Sequence, residues 1–173
     1  MKKINRVLVL GCGGSGKSTF SVRLEGAAGL KLYHLDSFYW KPGWNHTPEK
    51  KWIRVVKGLI RRNKWIIDGS YDGTLDLRLK RAEAVVFFDL PRWVCLWRIL
   101  KRRVQNMLGT HRLGMPEGCP ERVYGTFVKW VWNYRETNRP RVIEKLNQFS
   151  KRGKVYFVTN SKQADALIEE LRG

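Results

Sequence analysis

The chain has 173 residues, with 34 Lys+Arg against 15 Asp+Glu and a formal net charge of +19. That length encloses a full hydrophobic core, so a single domain spanning 1–173 is expected without disulfide or metal staples, and 43% hydrophobic residues exclude a disordered basic tail. Apolar runs such as Val7–Leu10 and Ala84–Phe88 fall far short of the roughly 20 residues that cross a bilayer, and no membrane partner is expected.

Val7-Leu8-Val9-Leu10 reads as a strand buried on both faces. The glycine-rich stretch from Gly11 to Thr19 turns into a helix with Phe20 and Leu24 on its apolar face, ending around Gly26–Gly29. Leu32–Leu35 is a second strand, followed by an aromatic, Pro/Gly-rich loop from Asp36 to His46. Thr47-Pro48 opens a helix running to about Arg62, with threonine as the cap and proline in the first helical position. Trp65-Ile66-Ile67, ending in Asp68-Gly69, is a third strand and Val85–Phe88 a fourth. After Pro91, the spacing of Trp93, Leu96/Trp97, Leu100, Val104 and Met107/Leu108 predicts a helix that buries this stripe, with Arg98, Lys101 and Arg102 opposite. Three glycines and two prolines between Gly109 and Pro120 predict a mobile loop. Helices follow at about Glu121–Tyr134 and after Pro140; Val155–Val158 is a fifth buried strand and Ala164–Leu171 a closing helix. Alternating strands and helices define an α/β fold with a mostly parallel sheet covered on both faces.

Gly11-Cys12-Gly13-Gly14-Ser15-Gly16-Lys17-Ser18 matches G-x-x-x-x-G-K-[ST], placed between a buried strand and a helix start. Backbone N–H groups of Gly11, Gly13, Gly14, Ser15, Gly16 and the residues through Thr19 would cradle phosphates at the positive end of the helix. Lys17 would reach the β and γ phosphates of ATP and Ser18 would hold Mg²⁺. Phosphoryl transfer also needs carboxylates and cations near the transferred group. Asp68, at a strand end on the same sheet edge, is the candidate for Mg²⁺ through water. Asp36 is the candidate for orienting or deprotonating an acceptor hydroxyl, the alternative being a turn aspartate. Asp89 reads equally as a capping carboxylate. Arg98 and Arg102, four apart, would point at one polyphosphate. Arg135, Arg139 and Arg141 follow the loop, where a closing lid would bring them in; a solvated basic surface is the alternative for all five.

The phosphate loop, Asp68-Gly69, Phe88-Asp89-Leu90-Pro91 and Trp97-Arg98-Ile99-Leu100-Lys101-Arg102-Arg103 resemble the adenylate kinase family of P-loop kinases. More closely, Leu35-Asp36-x-x-Tyr39-Trp40-Lys41-Pro42-Gly43-Trp44, Trp65-Ile66-Ile67-Asp68-Gly69-x-Tyr71 and Pro116-x-Gly118-Cys119-Pro120-Glu121-Arg122 look like the bacterial proteins labelled DNA topology modulation proteins. The resemblance implies a five-stranded parallel sheet in the order 2-3-1-4-5 with a lid at about 105–122. It also implies that Arg98 packs on the nucleotide base and Arg102 contacts phosphate. The chain departs from AMP kinases at His34–Trp40 and Asp68–Asp72, where an acid closing the second strand looks more like nucleoside, sugar or shikimate-type kinases. Tyr39, Trp40 and Trp44 offer stacking surfaces for a flat acceptor, or core packing.

His111 and Cys119 are too few for a lid zinc site. Cys12, inside the phosphate loop, is a candidate for oxidation sensitivity or simply a small residue that fits. The basic opening Met1–Arg6 precedes only four apolar residues, and three cysteines at long spacing fit no disulfide framework, so a cytoplasmic location is expected. The function these readings define is ATP- and Mg²⁺-dependent phosphate transfer from nucleotide to a small-molecule acceptor. An ATP-binding protein associating with nucleic acid is the alternative, because residues 92–152 carry 14 basic against 4 acidic side chains and such a field attracts any polyanion.

Overall fold

A computed structural model describes residues 3–107, 118–119 and 125–172. Strand β1 (Arg6–Gly11) leads through the glycine-rich turn into helix α1 (Lys17–Ala28). Strand β2 (Leu32–His34) runs into the short helix α2 (Leu35–Tyr39) and a small hairpin of β3 (Trp40–Lys41) and β4 (Asn45–His46). Helix α3 (Glu49–Ile60), strand β5 (Trp65–Asp68), a tight turn at Asp72–Thr74, helix α4 (Leu75–Leu79) and strand β6 (Ala84–Phe88) follow. Helices α5 (Arg92–Met107), α6 (Gly125–Thr137) and α7 (Arg139–Phe149), strand β7 (Lys154–Val158) and helix α8 (Ser161–Leu171) complete the chain.

The main sheet has the order β2-β5-β1-β6-β7, all parallel, which is 2-3-1-4-5 when its five strands alone are counted. Side chains alternate across a strand, so β1 sends Leu8 and Leu10 to one face and Val7 and Val9 to the other. The first face packs with Trp52 and Val56 of α3, Leu79 of α4 and Leu146 of α7; the second with Phe20 and Leu24 of α1 and Leu167 and Ile168 of α8. Registers Val9↔Asp68 and Gly11↔Phe88 bring the ends of β1, β5 and β6 to one carboxyl edge, the place where open α/β sheets hold ligands.

Five expectations change here. The 36–46 loop contains helix α2 and the β3/β4 hairpin, whose local pairing leaves little periodic signal. Thr47 does not cap α3: its Oγ1 donates to the Phe38 carbonyl at 3.0 Å, and Pro48 occupies the capping position. Helix α4 was not legible, because five residues give too short a pattern. Strand β7 lies at the sheet edge and leaves Phe157 46% exposed, so it is not buried on both faces.

The largest change is the rotation of α5. The stripe expected in the core faces solvent, with Trp93, Trp97, Leu100 and Val104 exposed by 66%, 60%, 59% and 59%, while Cys95 and Ile99 are buried. Full burial of a large apolar side chain contributes roughly 1.5–3 kcal/mol, and each of these residues forgoes more than half of it. The phosphate loop sets the rotation. A Cβ at Gly14 would lie 2.4 Å from the Cys95 carbonyl, and Arg98 donates to the Ser15 carbonyl at 2.9 Å. Backbone contact and the arginines take the inner face, and the apolar stripe is turned out. The expected lid, at about 105–122, falls mostly on 108–117 and 120–122, outside the described residues, as does His111.

Candidate active site

The phosphate loop is tied down from three sides. Ser70 Oγ, just past the end of β5, donates to the Gly11 carbonyl at 2.7 Å and accepts from the Gly11 N–H at 3.1 Å. Gly14, at φ +76°, lets the loop meet α5 without a side chain between them. Phe127 of α6 closes over Gly13, where a Cβ would come within 2.8 Å of its ring. Lys17 Nζ donates to the Cys12 carbonyl at 2.7 Å, which holds the ammonium across the loop.

Lys17 and Ser18 line a cavity of about 660 Å³ that also reaches Asp36, Asp68 and Arg102. Asp68 ends β5 and is 5% exposed; its Oδ2 lies 2.9 Å from His34 Nδ1, and its Oδ1 is buried without a partner. That unpaired carboxylate oxygen and the Ser18 hydroxyl are hard oxygen donors of the kind Mg²⁺ takes, so the residues present fit the ion. Asp36, in the first turn of α2, accepts from the Tyr71 hydroxyl at 2.6 Å. Burial, and then the neighbouring Asp36 charge, push the Tyr71 phenol well above its ordinary range. Trp40, Trp44, Tyr71, Phe127, Trp130 and Tyr134 form the cavity's aromatic wall.

The two arginines of α5 serve different hollows. Arg102 lines the main cavity, whereas Arg98 bonds the loop at Ser15 and lines a second hollow of about 240 Å³ with Gly16, Thr19 and Asn160. They flank the loop rather than converge on one point. Arg135 and Arg141 are exposed and line neither hollow. Arg139 also stays outside: it grips Asp89 through two bonds of 2.8 and 2.6 Å, which raises its pKa and leaves Asp89 an ion-pair partner rather than a helix cap. The Arg139–Asp89 pair clamps the start of α7 to the end of β6.

Two features escaped sequence reasoning. Arg78 is fully buried and donates to the carbonyls of Gly69 at 2.6 Å, Tyr71 at 2.6 Å and Thr74 at 3.3 Å. It thereby shapes the 69–74 turn that carries Ser70 and Tyr71 into the site. Burial lowers its pKa to about 10. The only local signal is an arginine between leucines, Leu77-Arg78-Leu79. Cys12 and Cys95 are buried side by side in one cluster with Ile99, Val131 and Tyr134. Cys12 Sγ donates to the Val131 carbonyl at 3.9 Å, and the close approach of the two thiols raises the pKa of Cys12 and lowers that of Cys95. Cys119 donates to the Lys41 carbonyl at 3.0 Å, and among the described residues no group of three or more metal-ligating side chains forms a metal cluster.

The fold and site together define a P-loop NTPase architecture, an α/β sheet with the phosphate loop at its carboxyl edge. Solved structures similar to the chain include the shikimate kinase of Bacteroides thetaiotaomicron, at 10% identity and TM-score 0.58, with 98% of this chain and 97% of that one covered. The shikimate kinase of Acinetobacter baumannii in complex with shikimate matches at 15% identity and TM-score 0.55, over 97% and 90% of the two chains. A gluconokinase of Sinorhizobium meliloti matches at 17% identity and TM-score 0.55, over 99% and 95%. No family model and no curated protein sequence matches the chain.

Proposed function

We propose that the chain is a kinase that transfers the γ-phosphoryl group of ATP to a hydroxyl of a small acceptor. The observation that carries this reading is one cavity lined both by Lys17 and Ser18 of the glycine-rich motif and by the hydrogen-bonded Asp36–Tyr71 pair. The kinase names of the similar structures support it. So do the resemblances to adenylate kinases and to the proteins labelled DNA topology modulation proteins. Asp36 accepts the hydroxyl proton as the acceptor oxygen bonds to the γ phosphorus and the bond to the β–γ bridging oxygen breaks. Tyr71 holds the carboxylate toward that hydroxyl. Lys17 and Arg102 neutralise charge on the phosphates, and Arg98 with Thr19 and Asn160 forms a seat for the nucleotide base. Ser18 and Asp68 would hold Mg²⁺, which would supply charge neutralisation at the phosphates. One domain carrying a lid at about 105–122, and a reducing cytoplasmic setting for three free buried cysteines, belong to the same reading.

The test is transfer of labelled γ-phosphate to a panel of nucleosides, sugars, sugar acids and cyclic alcohols, with Lys17→Ala as the control. Transfer to one acceptor class, lost in Lys17→Ala, is expected. ATP binding with no transfer to any hydroxyl would overturn the acceptor assignment. No observation beyond net charge favours nucleic acid as the partner.

A further inference from the structure

The outer face of α5 is apolar and largely exposed. At about 100° per residue, Trp93, Trp97, Leu100 and Val104 fall within about 60° of arc and extend about 16 Å along the helix axis. All four are more than half exposed, directly opposite the buried Cys95 and Ile99. Lys101 and Arg103 flank the stripe, one on each side. The stripe continues onto α6, where Trp132 meets Trp93 edge to face at 4.5 Å. Helix α5 contains no acidic residue, and α6 contains one, Glu136, already paired with Arg92.

We propose that this face docks on an anionic membrane surface. Helices that lie in a lipid interface combine Trp and Leu on one side with Lys and Arg beside them, and tryptophan favours the headgroup level. Charge complementarity singles out an anionic partner. A second copy of the chain would bring another +19 against the same basic flanks. The indoles are not open stacking platforms for nucleic-acid bases: Lys101 Nζ lies over the Trp97 ring at 5.2 Å, and the Trp93 and Trp132 rings are nearly perpendicular at 87°. Leu100 and Val104 add aliphatic surface that suits acyl chains. The expectation of no membrane partner came from the lack of spanning segments, and among the described residues no helix is long and apolar enough to cross a bilayer. Surface docking needs none.

The experiment is co-sedimentation of the full chain with vesicles of phosphatidylcholine alone and of phosphatidylcholine mixed with phosphatidylglycerol, beside Trp97→Glu and Leu100→Glu. Because a chain of this charge is drawn to any anionic surface, dependence on the stripe decides the matter. Binding to the mixed vesicles, a blue shift of tryptophan emission, and at least about tenfold weaker binding in each variant at unchanged thermal midpoint are expected. Failure to bind the mixed vesicles, or binding indifferent to both substitutions, would overturn the proposal. So would a dimer, or single-stranded DNA binding, that the same substitutions abolish while vesicle binding persists.

Discussion

Tyr71 joins the proposed acceptor site to the packed core through one hydroxyl. It donates to Asp36 at 2.6 Å from a position packed among Tyr39 and Trp52. If it positions the base, Tyr71→Phe should lower phosphate transfer by about tenfold while leaving ATP affinity unchanged; steady-state kinetics with an active acceptor would show the split. The same phenol gives a pH dependence. Its folded pKa lies above the ordinary value of about 10, so folding favours the protonated form. The stability this contributes is complete below pH 10 and is lost as pH rises beyond it, at up to about 1.4 kcal/mol per unit. Urea midpoints should fall from pH 10 upward, and more gently in Tyr71→Phe; parallel curves would show that Tyr71 is not the group responsible. Gly14 makes a third residue-scale test. With φ +76° and only 2.4 Å between a Cβ and the Cys95 carbonyl, Gly14→Ala should cost at least about 2 kcal/mol and weaken ATP binding, measured by denaturation and calorimetry.

At the scale of elements, the 69–74 turn and α5 carry the arrangement of the site. Arg78 satisfies three carbonyls of that turn from inside the core. Arg78→Met would leave them unpaired and should destabilise the protein by about 3 kcal/mol or more. Arg78→Lys should rescue only part of that, since an ammonium cannot reproduce the guanidinium fork. These elements also show what sequence can and cannot disclose. The place of the glycine-rich loop was legible because its motif is written in eight consecutive residues between a buried strand and a helix. The Asp36–Tyr71 pair spans 35 positions and exists only because β2 pairs with β5, so Asp36 was visible as a candidate and its partner's role was not. Arg78 bonds only backbone carbonyls, which have no side-chain signature. For α5 the apolar period gave the helix but not its rotation, because a stripe at helical spacing looks the same whether it meets the core or a partner. Contact with Gly14 and Ser15 decided the orientation.

For the whole molecule, sheet order was legible from resemblance, and strand identity from short runs buried on both faces; the edge strand β7 kept the apolar spelling without the burial. The sheet brings β1, β5 and β6 to one edge, and with them Lys17, Asp68 and the approach to Asp36. A chain of +19 thus places three aspartates, an aromatic wall and its glycine-rich loop around one cavity. The claim that phosphate donor and acceptor meet there is tested most directly by Asp36→Asn, followed in parallel by ATP calorimetry and by single-turnover transfer to whichever acceptor the wild type phosphorylates. Transfer reduced by at least about 100-fold, with ATP affinity within about a factor of three, is the expected result. Equal transfer in the variant, or loss of ATP binding along with it, would contradict the placement of Asp36 at the acceptor end of the cavity.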